Sequence, residues 1–300
     1  REPIARRTAL SRTIRRYART DGEWLLTGGG AEDIVDSARE SGGILTMEDL
    51  AQYEVATREP LRGTYRGWSV ITMPPPSSGG LVILQVLSVL EKTDLSALGH
   101  NSSDLIHLYA ETFQHGFADR AEFMGDPDRI DIPIDALLSA DRIDAIAADY
   151  DPSRTRDLEH YGTRVHTGTD GGTQHISVID EEGMAVALTT TINTGFGSRV
   201  ITPGGLVLNN EMDDFVARPG EPNFFGLIGS EANAVAPGSR PLSSMSPTVL
   251  ISPDGRERIV VGASGGPFII TSTLQTIINI IDFGLDSSEA VSRPRVHHQW

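Results

Sequence analysis

The strongest constraint on the fold is a pattern of alternating side chains that begins at Thr173. The run Thr173–Asp180 and a second run over residues 184–192 are separated by the short segment Asp180–Gly183. Alternation with a period of two is typical of strands, and a glycine-containing turn between two such runs indicates a β-hairpin. The sequence therefore predicts a strand that starts at Thr173, directly after the dipeptide Gly171-Gly172.

A threonine in this position has a chemical interpretation and a structural one. Its hydroxyl is a poor nucleophile without a nearby base, and cleavage before Thr173 would make its own α-amine that base. A free α-amine titrates near ~8, so part of it is neutral at physiological pH. Glycine at the cleaved bond allows strained backbone geometry at little steric cost. On this stretch alone, an ordinary loop-to-strand connection is the favoured interpretation.

Composition excludes several classes of protein. The 300 residues carry a net charge of −16, which disfavours a nucleic-acid partner because phosphates require a basic surface. Cysteine is absent, so disulfides and thiolate chemistry are excluded. No apolar run is long enough to span a bilayer. The first residue is Arg1 rather than methionine, so an upstream segment is expected and the compartment stays open.

Helical patterns dominate the first half of the chain, and strand patterns dominate the second half. Helices are predicted over residues 5–17, 31–41, 81–90 and 103–121, with Ser103 as the N-cap of the last. After a polar, glycine-bearing stretch, the chain becomes strand-rich and closes with an apolar helix over residues 267–281.

Two loops have a predicted role. The proline-rich Met73–Gly80 leads into a helix, where its glycines favour close packing over anion binding. Residues 153–172 lack apolar periodicity and predict an exposed linker, where a processing event would be tolerated.

Two polar clusters follow the hairpin. Thr191 and Asn193 lie at the end of its second strand, although Thr-Thr-Thr is also ordinary strand composition. Glu211 and Asp214 follow an apolar strand and are close enough to present two carboxylates to one cation, such as a substrate ammonium. A calcium site or a solvated turn is the alternative.

Two further clusters lie near the C-terminus. Ser243 and Ser244, held between prolines, could donate hydrogen bonds to a carboxylate or form a structured turn. Gly265 and Gly266 precede a helix, where exposed backbone amides favour an oxyanion hole or, alternatively, a phosphate site.

Taken in this order, the clusters resemble one family, the γ-glutamyltransferases of the N-terminal-nucleophile hydrolase class. The resemblance extends over essentially the whole chain. Its motifs are Gly42-Gly43, Met73–Gly80, Asn209–Phe215, Arg240–Thr248 and Arg293–Trp300. It implies an α+β fold with four layers, αββα. It also implies self-cleavage of a proenzyme between Gly172 and Thr173.

The resemblance implies a role for each cluster. Thr173 would be the nucleophile, Thr191 would orient it, and the amides of Gly265 and Gly266 would stabilise the oxyanion. The α-amino end of a glutamyl substrate would contact Asn193, Glu211 and Asp214. Its α-carboxylate would contact Ser243 and Ser244. No cofactor or metal is implied.

The resemblance also predicts partners and organisation. The substrate would be a small γ-glutamyl compound such as glutathione, with water or an amino-acid or peptide amine as acceptor. Residues 1–172 would be the C-terminal portion of a large-subunit-like region and 173–300 a small-subunit-like region, paired in one composite domain after cleavage. The segment 216–226 matches a lid loop. A periplasmic or secreted location is expected.

The chain also departs from the family pattern. On the resemblance, these 300 residues would start inside the large subunit, without a counterpart of the upstream arginine that pairs with the substrate carboxylate, and would stop before the final strands. Gln174, Gly195 and the pair Pro267-Phe268 replace commoner residues. Two alternatives therefore stay open: a related acylase or amidase acting on a β-lactam side chain or poly-γ-glutamate, and a catalytically inactive fragment.

Overall fold

The chain divides into two compact units that interleave in sequence. The computed structural model describes residues 6–157, 160–161, 172–221 and 229–299. The first unit comprises Arg1–Arg58 with Thr191–Asn210, and the second comprises Glu59–Thr190 with Glu211–Trp300. Neither unit is continuous in sequence, because the segment 191–210 belongs to the first.

Short helices build the first unit. They are α1 (Thr8–Arg19), α2 (Glu23–Leu26), α3 (Gly29–Glu40) and α4 (Met47–Ala51). A capping box opens α4: Thr46 Oγ1 accepts from Asp49 N at 3.3 Å, and Asp49 Oδ2 accepts from Thr46 N at 2.8 Å. Thr13 on α1 donates to the backbone oxygen of Gly204 at 2.8 Å, which joins the two segments of this unit.

The remaining helices belong to the second unit. They are α5 (Gly79–Leu90), α6 (Leu95–Leu98), α7 (Ser103–Phe123), α8 (Ile134–Leu137), α9 (Ala140–Asp149), α10 (Phe268–Ile281) and α11 (Ser287–Ser292). The predicted cap of α7 was wrong by one residue. Ser102, rather than Ser103, has the extended backbone of an N-cap and accepts from Leu105 N at 3.1 Å.

An antiparallel sheet forms the centre of the second unit. The described strands are β1 (Leu61–Tyr65), β2 (Trp68–Thr72), β3 (Thr173–Ile179), β4 (Ala185–Thr191), β5 (Thr248–Ile251) and β6 (Arg258–Val261). Four of them pair in the order β1-β2-β5-β6. In the central pair, Val70 lies opposite Leu250 and both are fully buried. The sheet is therefore anchored by strands that are distant in sequence.

The core forms where α5 packs against this sheet. Every residue of α5 except Ser88 is buried, which fits a helix that is apolar on all sides. Gly63 on β1 permits this approach, because a Cβ there would lie 2.6 Å from Leu84 Cδ2. Apolar residues of α7 and α10, including Phe113 and Leu274, complete the same core.

The proline-rich loop before α5 is a packing point, as predicted. A Cβ on Gly79 would lie 2.0 Å from Ser246 Oγ, and one on Gly80 would lie 2.0 Å from the backbone oxygen of Met73. Neither position has room for a side chain. These glycines let the start of α5 approach the serine-rich segment around Ser244.

The hairpin predicted from alternation is confirmed. β3 and β4 pair as a two-stranded sheet, and β3 begins at Thr173. In the connecting turn, Gly183 has φ +86° and donates to the backbone oxygen of Asp180 at 3.1 Å. A positive φ is adopted readily by glycine, which explains its place in this turn.

Other predictions are settled only in part. Helices with antiparallel strands confirm the α+β class. In the described ranges, no helix is both long enough and apolar enough to cross a membrane. Residues 158–159 and 162–171 of the predicted linker and 222–226 of the predicted lid segment lie outside the described residues. The division at Gly172 and Thr173 stays a prediction.

Candidate active site

Thr173 stands at the first position of β3 and is partly buried. Gly172 precedes it in the described chain, whereas Gly171 lies outside the described residues. Further along the strand, Ser177 Oγ donates to the backbone oxygen of Val260 at 2.9 Å, which ties β3 to β6. The candidate nucleophile thus sits where a strand begins, with the rest of that strand held in place.

His175, which the sequence analysis missed, links β3 to the glycine-rich loop after β6. Its Nδ1 lies 2.8 Å from Thr189 Oγ1, and its Nε2 lies 3.1 Å from Ser177 Oγ. The ring occupies the space where a Cβ on Gly262 would be, only 2.2 Å from Nδ1. Burial lowers the pKa of His175, so the ring is neutral at pH 7. In the sequence, the position of His175 two residues after Thr173 is the feature that could have indicated its place near the candidate nucleophile.

The loop that follows places two left-handed glycines at the start of α10. Gly265 has φ +119° and Gly266 has φ +55°. Their carbonyl oxygens accept from Phe268 N at 3.0 Å and Ile269 N at 3.1 Å, which forms the first turn of the helix. Pro267 is the N-cap residue of α10. The predicted glycine loop at a helix start is confirmed, and its role as an oxyanion hole stays a prediction.

Both acidic candidates lie in one turn of 3-10 helix, Glu211–Asp214. The buried side chain of Asn233 donates to the backbone oxygen of Asp214 at 2.8 Å. The same side chain accepts from Leu242 N at 3.0 Å. Asn233 therefore joins the acidic turn to the segment that leads into Ser243, a link that local sequence patterns do not reveal.

The serine candidates belong to a structured segment that runs beside the loop before α5. Ser243 N donates to the backbone oxygen of Pro76 at 3.0 Å, and Ser78 N donates to that of Ser243 at 2.9 Å. Ser243 Oγ accepts from Met245 N at 3.1 Å. The structured-turn alternative is therefore correct for the backbone, and it leaves a substrate role for the hydroxyls open.

A buried arginine connects these clusters. Arg120, on α7, donates from Nε to Ser78 Oγ at 2.9 Å and from Nη2 towards Ser244 Oγ at 3.5 Å. Burial lowers the pKa of Arg120 to about 10, and the Asp214 carboxylate opposes this shift. The guanidinium stays charged at neutral pH, and the structure brings the hydroxyls of Ser78 and Ser244 to this one cation.

Thr191 and Asn193 belong to the first unit and contact each other. Thr191 Oγ1 accepts from Asn193 N at 2.8 Å. Asn193 is buried with φ +76°, and its Nδ2 donates to the backbone oxygen of Asn210 at 3.1 Å. Asn210 Oδ1 in turn accepts from Thr194 N and from its hydroxyl, both at 3.1 Å. The predicted pair is thus part of a hydrogen-bonded turn after β4.

Metal coordination has little support in the part of the chain that the structure describes. There, no group of three or more histidine, aspartate or glutamate side chains is arranged to hold a metal ion. The acidic turn at Glu211–Asp214 was the candidate for such a site. The backbone oxygen of Asp214 in this turn accepts a hydrogen bond from the Asn233 side chain.

Comparison with known proteins decides the family. A family model described as Gamma-glutamyltranspeptidase matches residues 2–300. The chain belongs to this family. A relative from Escherichia coli (strain K12), named "Glutathione hydrolase proenzyme", is 42% identical over 293 residues, covering 97% of this chain and 50% of the relative. One from Schizosaccharomyces pombe, "Glutathione hydrolase proenzyme 1", is 41% identical over 301 residues, covering 98% and 47%.

Solved structures agree with this assignment at the level of fold. The structure of a cephalosporin acylase from Bacillus halodurans superposes with a TM-score of 0.78 at 27% identity, covering 97% of this chain and 50% of that one. This γ-glutamyltranspeptidase family chain spans about half the length of the curated relatives it matches.

Proposed function

We propose that the protein hydrolyses and transfers γ-glutamyl groups, with Thr173 as an N-terminal nucleophile released by self-cleavage after Gly172. The observation that carries this proposal is the position of Thr173, directly after a glycine and at the first residue of β3. Relatives at 41–42% identity named as glutathione hydrolase proenzymes support both the substrate class and the processing.

The proposed reaction needs no group beyond those of the chain and the substrate. The Thr173 hydroxyl attacks the γ-carbonyl carbon, and the neutral α-amine takes the hydroxyl proton. Amides of Gly265 and Gly266 stabilise the oxyanion. When it collapses, the C–N bond breaks, the amine product leaves with the proton, and a γ-glutamyl ester on Thr173 remains. Water or an acceptor amine then cleaves the ester and restores the hydroxyl.

Recognition of glutamate follows from the polar clusters. Asn193, Glu211 and Asp214 would hold the α-ammonium, and Ser243 and Ser244 would donate to the α-carboxylate. The Asn233 side chain, which bonds both the backbone oxygen of Asp214 and the amide of Leu242, supports a single cradle for the two charged ends. Binding energy from these remote groups would align the γ-carbonyl with Thr173.

Further expectations come with this function. The two fragments produced by cleavage would stay paired, with a small γ-glutamyl compound as substrate and water or an amino-acid or peptide amine as acceptor. No cofactor is needed by the proposed steps. The periplasmic or secreted location implied by the resemblance stays a prediction.

An acylase acting on a β-lactam side chain is the second candidate. It is favoured by the TM-score of 0.78 to a cephalosporin acylase and by the apolar residue next to the glycine loop. Phe268 stacks on His297 with ring centroids 4.1 Å apart and remains 38% exposed. An aromatic surface beside Gly266 suits a larger acyl group than glutamyl.

The test compares substrates and variants in the purified protein. We expect release of nitroaniline from γ-glutamyl-p-nitroanilide, abolished by Thr173→Ala and partly retained by Thr173→Ser. Thr190→Ala, an exposed neighbour on β4, is the matched control and should keep full activity. Faster turnover of an acyl-cephalosporin than of the anilide would favour the second candidate, and inactivity towards both would refute enzyme function.

A further inference from the structure

Arg120 has no role in the proposed reaction steps. It is nevertheless buried beside residues that are proposed to bind the substrate. It is 3% exposed and lies near the end of α7. A buried cation is costly unless its hydrogen bonds and charge are matched. Its described partners are two hydroxyls, those of Ser78 and Ser244, together with the charge of Asp214. The segments around Ser78 and Ser244, which are distant in sequence, thus meet at one guanidinium.

The hydrogen bonds fix which way each hydroxyl can donate. Ser78 Oγ accepts from Arg120 Nε and donates its hydrogen to the backbone oxygen of Ser243 at 2.8 Å. Ser244 Oγ accepts from Arg120 Nη2, so its hydrogen points elsewhere. A hydroxyl that accepts from a cation is also polarised and becomes a better donor. Ser244 is therefore prepared to donate to an anionic group such as a carboxylate.

A lysine could not reproduce this arrangement. The guanidinium is a planar fork whose Nε and Nη2 reach two acceptors at fixed relative positions, while the ammonium of lysine is a point charge on a shorter, flexible stem. Ser78 is fully buried and bound to Ser243 from both its amide and its hydroxyl. Arg120 consequently holds the backbone next to Ser244 as well as the Ser244 hydroxyl itself.

We propose that Arg120 is a positioning residue for glutamate recognition, which orients the Ser244 hydroxyl towards the substrate α-carboxylate. The proposal rests on the proposed γ-glutamyl function. It assigns Arg120 to substrate binding rather than to the chemical step, because none of its described contacts reaches Thr173 or the Gly265-Gly266 loop. Its loss should therefore raise KM and leave kcat nearly unchanged.

The test uses the self-processed protein and two anilides. Arg120→Lys is expected to raise KM for γ-glutamyl-p-nitroanilide about tenfold, corresponding to about 1.4 kcal/mol, with kcat within about threefold of wild type. Butyryl-p-nitroanilide lacks both α-groups, so its kcat/KM should be unchanged by Arg120→Lys. In a Ser244→Ala background the effect of Arg120→Lys should shrink, because residues that act together are not additive.

Matched variants separate positioning from general damage. Arg142→Lys alters another arginine whose Nη2 lies 2.7 Å from the buried Asp119, and it should leave KM unchanged. If Arg120→Lys fails to fold, Ser78→Ala removes the Nε acceptor together with the hydroxyl's hydrogen bond to the backbone oxygen of Ser243, while the Ser78 amide still bonds that oxygen. This variant should raise KM about threefold, with the butyryl anilide again unaffected. Cleavage before Thr173 should be complete in each variant used.

Three results would overturn the role of Arg120 even if the wild-type protein is active. The first is an unchanged KM in both Arg120→Lys and Ser78→Ala, and the second is an equal loss of kcat/KM on both anilides. The third is full additivity of Arg120→Lys with Ser244→Ala. A processed wild-type protein that turns over neither anilide would refute the proposed function, and the role of Arg120 with it.

Discussion

The side-chain amide of Asn233 donates a hydrogen bond to the backbone oxygen of Asp214 at 2.8 Å. Through its other atom, Oδ1, Asn233 accepts from Leu242 N at 3.0 Å, and the residue is 4% exposed. The acidic turn and the serine-rich segment are thereby fixed relative to each other. The spacing between the groups proposed to hold the two ends of glutamate depends on this one side chain.

Replacing Asn233 should therefore affect both stability and binding. In Asn233→Ala, each backbone group left without a partner in a buried site costs about 1–3 kcal/mol, and KM for a γ-glutamyl anilide should rise. Asn233→Asp keeps the acceptor for Leu242 N but sets a buried carboxylate against the backbone oxygen of Asp214, so it should be destabilised as well. Urea unfolding and steady-state kinetics measure both effects. Equal stability of Asn233→Ala and wild type would contradict this role.

The two roles of Asn193 can be separated by a pair of variants. At a φ of +76°, alanine lowers the free energy of unfolding by roughly 1–2 kcal/mol, whereas glycine adopts this backbone conformation with little loss. Asn193→Gly should therefore unfold at higher urea concentration than Asn193→Ala. Both variants lack the side chain proposed to contact the substrate, so both should raise KM equally. A glycine variant with normal KM would show that only the backbone turn is required.

The pH dependence of stability should carry a contribution from His297. Its Nδ1 lies 2.9 Å from Thr271 Oγ1, and burial lowers its pKa below the ordinary value of ~6.5. As pH falls through ~6.5 the unfolded chain binds a proton that the folded chain does not, so folding is penalised. Above that value both states are neutral and the penalty vanishes.

Wild type should consequently lose more stability between pH 7.5 and pH 5.5 than His297→Gln does. Urea midpoints at the two pH values, measured for both proteins, give the difference directly. Equal losses of stability in wild type and His297→Gln would mean that His297 has the same pKa in the folded and unfolded chains, which would contradict this prediction.

The packing at the start of α5 predicts an intolerant glycine. In Gly80→Ala the new Cβ would lie 2.0 Å from the backbone oxygen of Met73, and overpacking against backbone should cost about 3 kcal/mol or more. Gly29→Ala is the matched control, because it also lies in the first turn of a helix. There the nearest atom is Trp24 Nε1 at 3.5 Å, an ordinary contact. Thermal unfolding of both variants should separate them, and comparable melting temperatures would refute the packing account.

Local features of the fold were predictable from the sequence because short-range chemistry dictates them. The hairpin β3–β4, the turn with Gly183 and the capping box at Thr46 each depend on residues within a few positions. Adjacent serines before α7 could not be told apart, since both have the side chain that an N-cap requires. Ser102 takes the position because its hydroxyl accepts from Leu105 N.

The site was predictable only as separate clusters. Arg120 and Asn233 bring the clusters together, and their partners lie far away in sequence. An arginine on a helix is usually on a solvated face, so nothing local marks Arg120 as buried. β1 was also missed, because Leu61–Tyr65 contains a glycine and two polar residues and becomes a strand through pairing with β2.

The central claim is that Thr173 becomes the N-terminal residue of the smaller fragment and attacks the substrate. N-terminal sequencing of the purified protein after denaturing electrophoresis tests it most directly, with Thr173→Ala run in parallel. We expect two bands for wild type, the smaller beginning Thr-Gln-His-Ile-Ser, and one uncleaved band for the variant. A wild-type protein that hydrolyses γ-glutamyl anilide while remaining a single chain, or that is cut at another bond, would contradict it.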